Sequence, residues 1–91
     1  MMVTLAEAKE YLRIDSSDDD ARVQDSLNKA RSLCISVSRL SEDDFDALPD
    51  GAREAVLYTT AYLYTHREDA DHHQLELDLR HMLADIRKVA F

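Results

Sequence analysis

The sequence predicts an all-α protein, a small bundle of about four helices. Its 91 residues are 45% hydrophobic and include one Gly and one Pro, so the residues that make the tight turns of all-β folds are scarce. Apolar residues also recur at intervals of three and four, which is the spacing of one face of a helix. A chain of this length is expected to form one domain, residues 1–91, with a small core.

The first helix is expected over about residues 5–12. Thr4 is followed three residues later by Glu7, the spacing at which a hydroxyl and a carboxylate cap each other's backbone N–H groups. The acidic turn that follows, residues 15–20, is rich in helix-capping residues. A calcium loop beginning at Asp15 would need Gly at position 20 and Glu at position 26, and neither is present. We therefore interpret the turn as a helix cap.

A long second helix is predicted from about Asp19 to Val37. Its apolar residues form a seam spaced by four and three, namely Val23, Leu27, Ala30, Cys34 and Val37. Cys34 lies on this seam, so a buried small residue is a better interpretation than a reactive thiol. As the only cysteine, it excludes an intramolecular disulfide and indicates a reducing compartment.

An acidic linker, residues 38–48, is expected to contain a single helical turn capped by Ser41, with Phe45 and Leu48 on the core. The second acid cluster lies in and just after it: Glu42, Asp43, Asp44, Asp46 and Asp50. We interpret this cluster as solvated surface, with a docking surface for a basic partner as the less favoured alternative.

The third helix is predicted over the most apolar stretch, from Pro49 in its first turn to near Glu68. Its apolar residues form two stripes, one of Ala52, Ala55, Val56, Tyr62 and Leu63 and another of Leu57, Ala61 and Tyr64. A helix that is apolar on two sides has to pack against other protein surface on both sides. We expect the other helices to bury one stripe and another subunit to bury the second.

A polar connection is expected over residues 68–73, followed by a last helix from about Asp78 to Arg87. Residues 74–80 stay ambiguous, because Leu75, Leu77 and Leu79 alternate as in a strand. A helical stripe competes with that pattern: Leu75, Leu79, Met82, Ile86 and Val89.

The sequence predicts neither an enzyme nor a metal or cofactor site. Its histidines, His66, His72, His73 and His81, lack the spacing of a ligand pair on a helix. A nucleophile paired with a base and a phosphate-binding loop are also missing. We recognise neither a signal peptide nor a membrane-spanning run, so we expect a soluble protein that is not exported.

The formal charge of −8 disfavours a protein that grips nucleic acid, because phosphate binding needs clustered Lys and Arg. The balance reverses near the C-terminus, where Arg80, Arg87 and Lys88 outnumber Asp85. The C-terminal segment is therefore the mildly basic end of an acidic chain.

Three short motifs in the sequence match patterns of one protein family. The opening stretch matches a pattern at Thr4, Leu5, Lys9, Leu12, Arg13, Ile14 and Asp15. A second motif matches at Leu63, Tyr64, Arg67 and Glu68, and a third at Met82-Leu83 and Ile86-Arg87, where an expected aromatic is absent. These motifs resemble those of the small head–tail connector (adaptor) proteins of tailed bacteriophages.

This resemblance implies a structural virion protein without catalysis. It implies a ring of about twelve subunits at the head–tail junction, under the portal and next to a tail completion or neck protein. DNA would pass through the ring without sequence-specific binding, and assembly would take place in the host cytoplasm.

Within that family, we expect Arg80, Arg87, Lys88 and Phe91 to contact the portal, since basic and apolar groups at one end of an acidic subunit suit an acidic or grooved partner. The alternative from another class is a small helical regulator that binds DNA or a protein. Its first two helices are compatible with a helix-turn-helix, but the negative charge opposes DNA binding.

Overall fold

The computed structural model describes residues 3–66 and 68–90, with side chains for residues 3–66 and 68–84. In that part of the chain the backbone forms five helices and no strand. These are α1 (Leu5–Leu12), α2 (Asp20–Ser38), α3 (Glu42–Asp46), α4 (Gly51–Thr65) and α5 (His72–Ala90). The all-α prediction is confirmed, with four longer helices and one short helix of five residues.

The first two helices lie where the sequence predicts them. The Thr4 hydroxyl caps α1 by accepting a hydrogen bond from the Glu7 N–H at 3.2 Å. The Glu7 carboxylate, expected to complete the reciprocal cap, accepts instead from the Thr4 hydroxyl and from Arg53 of α4. Each helix ends on an arginine with φ of 60°, Arg13 after α1 and Arg39 after α2.

The core forms where α2 packs against α4. The predicted seam of α2 is buried at its first four positions, whereas Val37 is half-buried and Ser38 takes the next buried place. From α4 the buried residues are Ala52, Ala55, Val56, Leu57, Thr59 and Thr60. α1 and α5 both contact this pair, and α5 adds Leu75, Leu79 and Leu83 to the core.

The bounds and surroundings of α4 differ from the prediction. Pro49 lies before the helix rather than in its first turn, because its carbonyl accepts from Ala52 in a tight turn and Asp50 takes the cap position. The helix ends at Thr65, since the backbone of His66 leaves helical geometry. Leu57 of the second stripe is buried by helices of the same chain, while Ala61 and Tyr64 are half-buried. Much of the second apolar stripe is therefore buried within the subunit itself.

The last helix starts earlier than expected, at His72. Asp71 caps it by accepting from the Gln74 N–H at 3.0 Å, and its buried leucines follow at intervals of four. This cap and this spacing make residues 74–80 helical, so the strand alternative is wrong and the polar connection is shorter than predicted.

The linker between α2 and α4 is tied to α2 by an ion pair. As predicted, Ser41 caps the short α3, accepting from the Asp44 N–H at 3.2 Å, and Phe45 and Leu48 are buried. Arg31 of α2 donates to both carboxylate oxygens of Asp46, at 2.8 and 3.1 Å. Glu42 also lies 3.6 Å from the Arg31 guanidinium, so two members of the second acid cluster are paired within the chain.

Replacing Asp46 with Asn is expected to lower the free energy of unfolding at neutral pH by about 0.5–1 kcal/mol, because the bidentate pair is partly exposed and screened by solvent. The hydrogen bond from Arg31 lowers the pKa of Asp46. Its stabilisation is therefore present above the ordinary carboxyl pKa and is lost as pH falls through the lower pKa of the folded state.

Urea denaturation at several pH values measures this effect, and the gap between wild type and Asp46→Asn should narrow below about pH 4. Asp43→Asn is the matched control, because Asp43 is an exposed acid of α3 without an ion pair in the described part of the chain. Equal losses from both substitutions would contradict the assignment.

Burial raises the pKa of the Cys34 thiol to about 11, and the nearby Thr59 hydroxyl, 3.7 Å from the sulfur, offsets only part of this rise. Since the thiolate is the reactive species, iodoacetamide should alkylate the folded protein at least about a hundredfold more slowly than the urea-unfolded chain at about pH 8. The chain has one cysteine, so mass spectrometry of the labelled protein reports this site alone. Similar rates in both states would show that the thiol is accessible.

Candidate functional site

The histidines do not assemble into a metal site. Across residues 3–66 and 68–84, no group of three or more His, Cys, Asp or Glu side chains could hold a metal ion. His66 instead stacks on Tyr62, with ring centroids 4.5 Å apart, and its Nδ1 lies 3.3 Å from an Asp69 oxygen. Interaction surfaces are therefore the sites to consider.

Most of the described cations are paired inside the chain. Such pairs leave little positive charge for a polyanion to bind. They are Lys9–Asp20 at 2.8 Å, Lys29–Asp25 at 3.0 Å, Arg31–Asp46 at 2.8 Å, Arg22–Asp19 at 4.0 Å and Arg53–Glu7. Within the described side chains, the arginines that form no ion pair are Arg13, Arg39 and Arg80.

Two of these three arginines line one groove. The groove lies between the C-terminal end of α2 and the middle of α5, and has a volume of about 410 Å³. We call it the arginine groove and define it by Arg39, Arg80, Val37, Ser38, Leu83 and Ala84. An adjoining hollow of about 260 Å³ shares Arg39 and Arg80 and contains Glu76, which forms no ion pair with either arginine. The surface combines unpaired positive charge with apolar side chains.

The residues predicted to contact a partner fall in different places. Arg80 is exposed and belongs to the arginine groove. Arg87 and Lys88 lie farther along α5, where side chains are outside the described set, and Phe91 lies outside the described residues. The structure therefore joins Arg80 to Arg39, which the sequence did not single out.

Arg39 occupies the C-cap of α2 in the left-handed conformation, and its N–H donates to the carbonyls of Ile35 and Ser36. An arginine just past the predicted end of a helix was the available signal, because cap positions expose their side chains and cations there face the negative end of the helix dipole. The proximity of Arg39 to Arg80 on α5 depends on tertiary packing, which the periodicity of the sequence does not reveal.

The opposite end of α2 is acidic. In the acidic turn, residues 15–20, Asp15 and Asp18 are exposed and form no ion pair with any described residue. Asp19 accepts a 2.5 Å hydrogen bond from the Tyr64 hydroxyl, and Asp20 pairs with Lys9. These contacts fix the turn while its remaining carboxylates face solvent.

Tyrosines form a further surface where α1 and α5 flank α4. Tyr11 is 45% exposed, and Tyr58 and Tyr62 are half-buried. The Tyr58 hydroxyl donates to Asp78 of α5 at 3.4 Å. Burial raises the pKa of Tyr58, and the nearby charges of Asp78, Tyr62 and Tyr11 raise it further. Side chains with an apolar ring and a polar tip are enriched in protein interfaces; we call Tyr11, Tyr58 and Tyr62 the tyrosine face.

None of the helices in the described residues is long and apolar enough to cross a membrane. The comparisons with curated proteins and with solved structures give no match. The comparison with protein families matches residues 2–86 to the phage gp6-like head–tail connector proteins. That match spans nearly the whole chain, from the start of α1 into the last turns of α5. The chain therefore belongs to the phage gp6-like head–tail connector family and is a structural component of the virion.

Proposed function

We propose that this connector protein forms a ring that joins the portal to the tail and lines part of the channel through which DNA passes. The observation that best supports this proposal is the internal pairing of most of the described cations, together with a net charge of −8. A surface whose free charges are mostly acidic repels DNA phosphates, so DNA slides past it without sticking.

The ring itself is supported by the placement of two unlike surfaces. The acidic turn, with Asp15 and Asp18 exposed, lies at the N-terminal end of α2, and the arginine groove lies at its C-terminal end. Two different surfaces on one subunit suit a heterologous contact, which closes into a ring when the rotation between neighbours allows it. We propose about twelve subunits, in keeping with the resemblance of the sequence motifs.

The portal contact is proposed for the C-terminal part of the chain, with Arg87, Lys88 and Phe91. Arg80, grouped with them by the sequence, lies about two helical turns before Arg87, in the arginine groove. The tail completion or neck protein is proposed to contact another surface of the ring, and assembly is proposed to occur in the host cytoplasm.

A DNA-binding regulator is less well supported by the geometry. The cations that α2 would offer to phosphates, Arg22, Lys29 and Arg31, lie within 4.0 Å of carboxylates. Each would have to leave an acid before it could neutralise a phosphate. The DNA-binding regulator is therefore the alternative that the following test can support.

Light scattering after size exclusion, over a concentration series, should show a discrete species of about twelve subunits that grows at the expense of monomer as concentration rises. The same samples should leave a fluorescent duplex DNA unbound at low salt, because net negative charge opposes association. A monomer that binds DNA, with affinity falling steeply as salt rises, would overturn the connector ring in favour of the regulator.

A further inference from the structure

We infer that the arginine groove docks the acidic turn of a second copy of this chain, so that neighbouring subunits join head to tail along α2. The inference rests on the proposed ring and names the surfaces that would hold it together. Its basis is the charge complementarity between two exposed surfaces at opposite ends of one helix.

The groove offers both charge and an apolar wall. Arg39 and Arg80 are exposed and form no ion pair with a described residue, in a chain whose other described cations are almost all paired. A guanidinium presents several N–H donors in a planar fork that fits a carboxylate. Ala84 and the half-buried Val37 add apolar surface beside the charges. A carboxylate-bearing turn is the ligand class that matches this combination.

The acidic turn supplies such carboxylates in a fixed arrangement. Asp15 and Asp18 are exposed and pair with none of the described cations, while Asp19 and Asp20 are held by Tyr64 and Lys9. A turn that is already held in place loses less conformational freedom when it docks than a flexible segment would. The charges left free are therefore positioned for a partner rather than for the subunit's own fold.

Pairing between these two surfaces has to be intermolecular. About twenty residues of nearly continuous helix separate Asp18 from Arg39, a distance of about 30 Å at the rise of an α-helix. That distance exceeds the screening length of about 8 Å at physiological ionic strength, so the two ends do not neutralise each other within one subunit. Joined end to end, every copy gives one acidic turn and receives one.

The second acid cluster fits this role less well. Asp43 and Asp44 of α3 follow Arg39 closely in the chain and lie at the same end of α2 as the groove. If that cluster bound the groove, the carboxylates and the arginines that bind them would lie in one surface patch of each subunit. Two copies of such a self-complementary patch form a two-fold dimer. The acidic turn at the far end gives the head-to-tail contact that a ring needs. This assignment moves Arg80 to the subunit contact and leaves the portal contact to the residues after it.

Charge reversal with mixing tests the inference. We compare two double variants of the full chain, Arg39→Glu with Arg80→Glu, and Asp15→Lys with Asp18→Lys. Each alone should need at least about a tenfold higher concentration to assemble, because like charges then face each other at every junction. An equimolar mixture should assemble near the wild-type concentration, since each variant complements the other, and the variant carrying all four changes should assemble by itself.

Arg13→Glu is the matched control. Arg13 is also an arginine at a helix C-cap with φ of 60° and forms no ion pair within the described side chains. Arg13→Glu therefore has the same change of charge and the same backbone requirement as Arg39→Glu, but lies outside the groove. Circular dichroism and urea denaturation verify that all variants fold. The Arg13→Glu protein should need no higher a concentration than wild type to assemble, because its added negative charge lies two residues before an acidic turn that docks on arginines.

The remaining outcomes separate a wrong groove contact from a wrong ring. If both double variants assemble like wild type, the groove contact is wrong while the ring stands. A two-fold dimer disrupted by reversing Asp43 and Asp44 would assign the groove to the second acid cluster and overturn the head-to-tail contact. If wild type stays monomeric at every concentration, the self-contact is overturned, and co-purification with the portal protein of the same phage then decides the connector function separately.

Discussion

The close packing of α2 on α4 is the contact on which the remaining structure depends. Both helices bury small residues, Ala30 on α2 and Ala52 and Ala55 on α4, and the sulfur of Cys34 on α2 lies 3.7 Å from the Thr59 hydroxyl on α4. Small side chains let two backbones approach closely, so a short chain can still reach the packing density of a protein interior. α1, α3 and α5 are each positioned by contact with one or both of these helices. The groove and the acidic turn are consequently fixed to the two ends of α2.

Much of the fold could be predicted because local signals and tertiary packing agree. Thr4 and Ser41 cap the helices they were expected to cap, and the seam from Val23 to Cys34 is buried. The failures have physical causes too. Thr59 and Thr60 are polar in sequence, yet each is fully buried because its hydroxyl donates to the carbonyl four residues earlier. A search for apolar stripes overlooks such residues, which are satisfied within their own helix.

The candidate surfaces were less predictable than the helices, because they depend on which charges cancel. The net charge is visible in the sequence, but Arg31 meets Asp46 and Arg53 meets Glu7 only after the chain has folded. Among the described side chains these pairs leave Arg13, Arg39 and Arg80 without an ion partner, and the docking of α5 beside the end of α2 brings the last two together. Sequence reasoning found Arg80 through its position in a basic segment. The place of Arg39 just past the predicted end of α2 was a usable signal, but its proximity to Arg80 could not be predicted, because it depends on tertiary packing.

The attachment of α1 has a consequence for dynamics. Ala8 is its single fully buried residue, and two ion pairs, from Glu7 to Arg53 and from Lys9 to Asp20, link it to α4 and α2. A helix held largely by half-exposed charge and half-buried side chains opens at lower free energy than the core behind it. Salt weakens those pairs and leaves the α2–α4 packing intact. Rising ionic strength therefore loosens α1 before the rest of the fold, and its release uncovers the side of α4 against which it packs while the remaining helices stay folded.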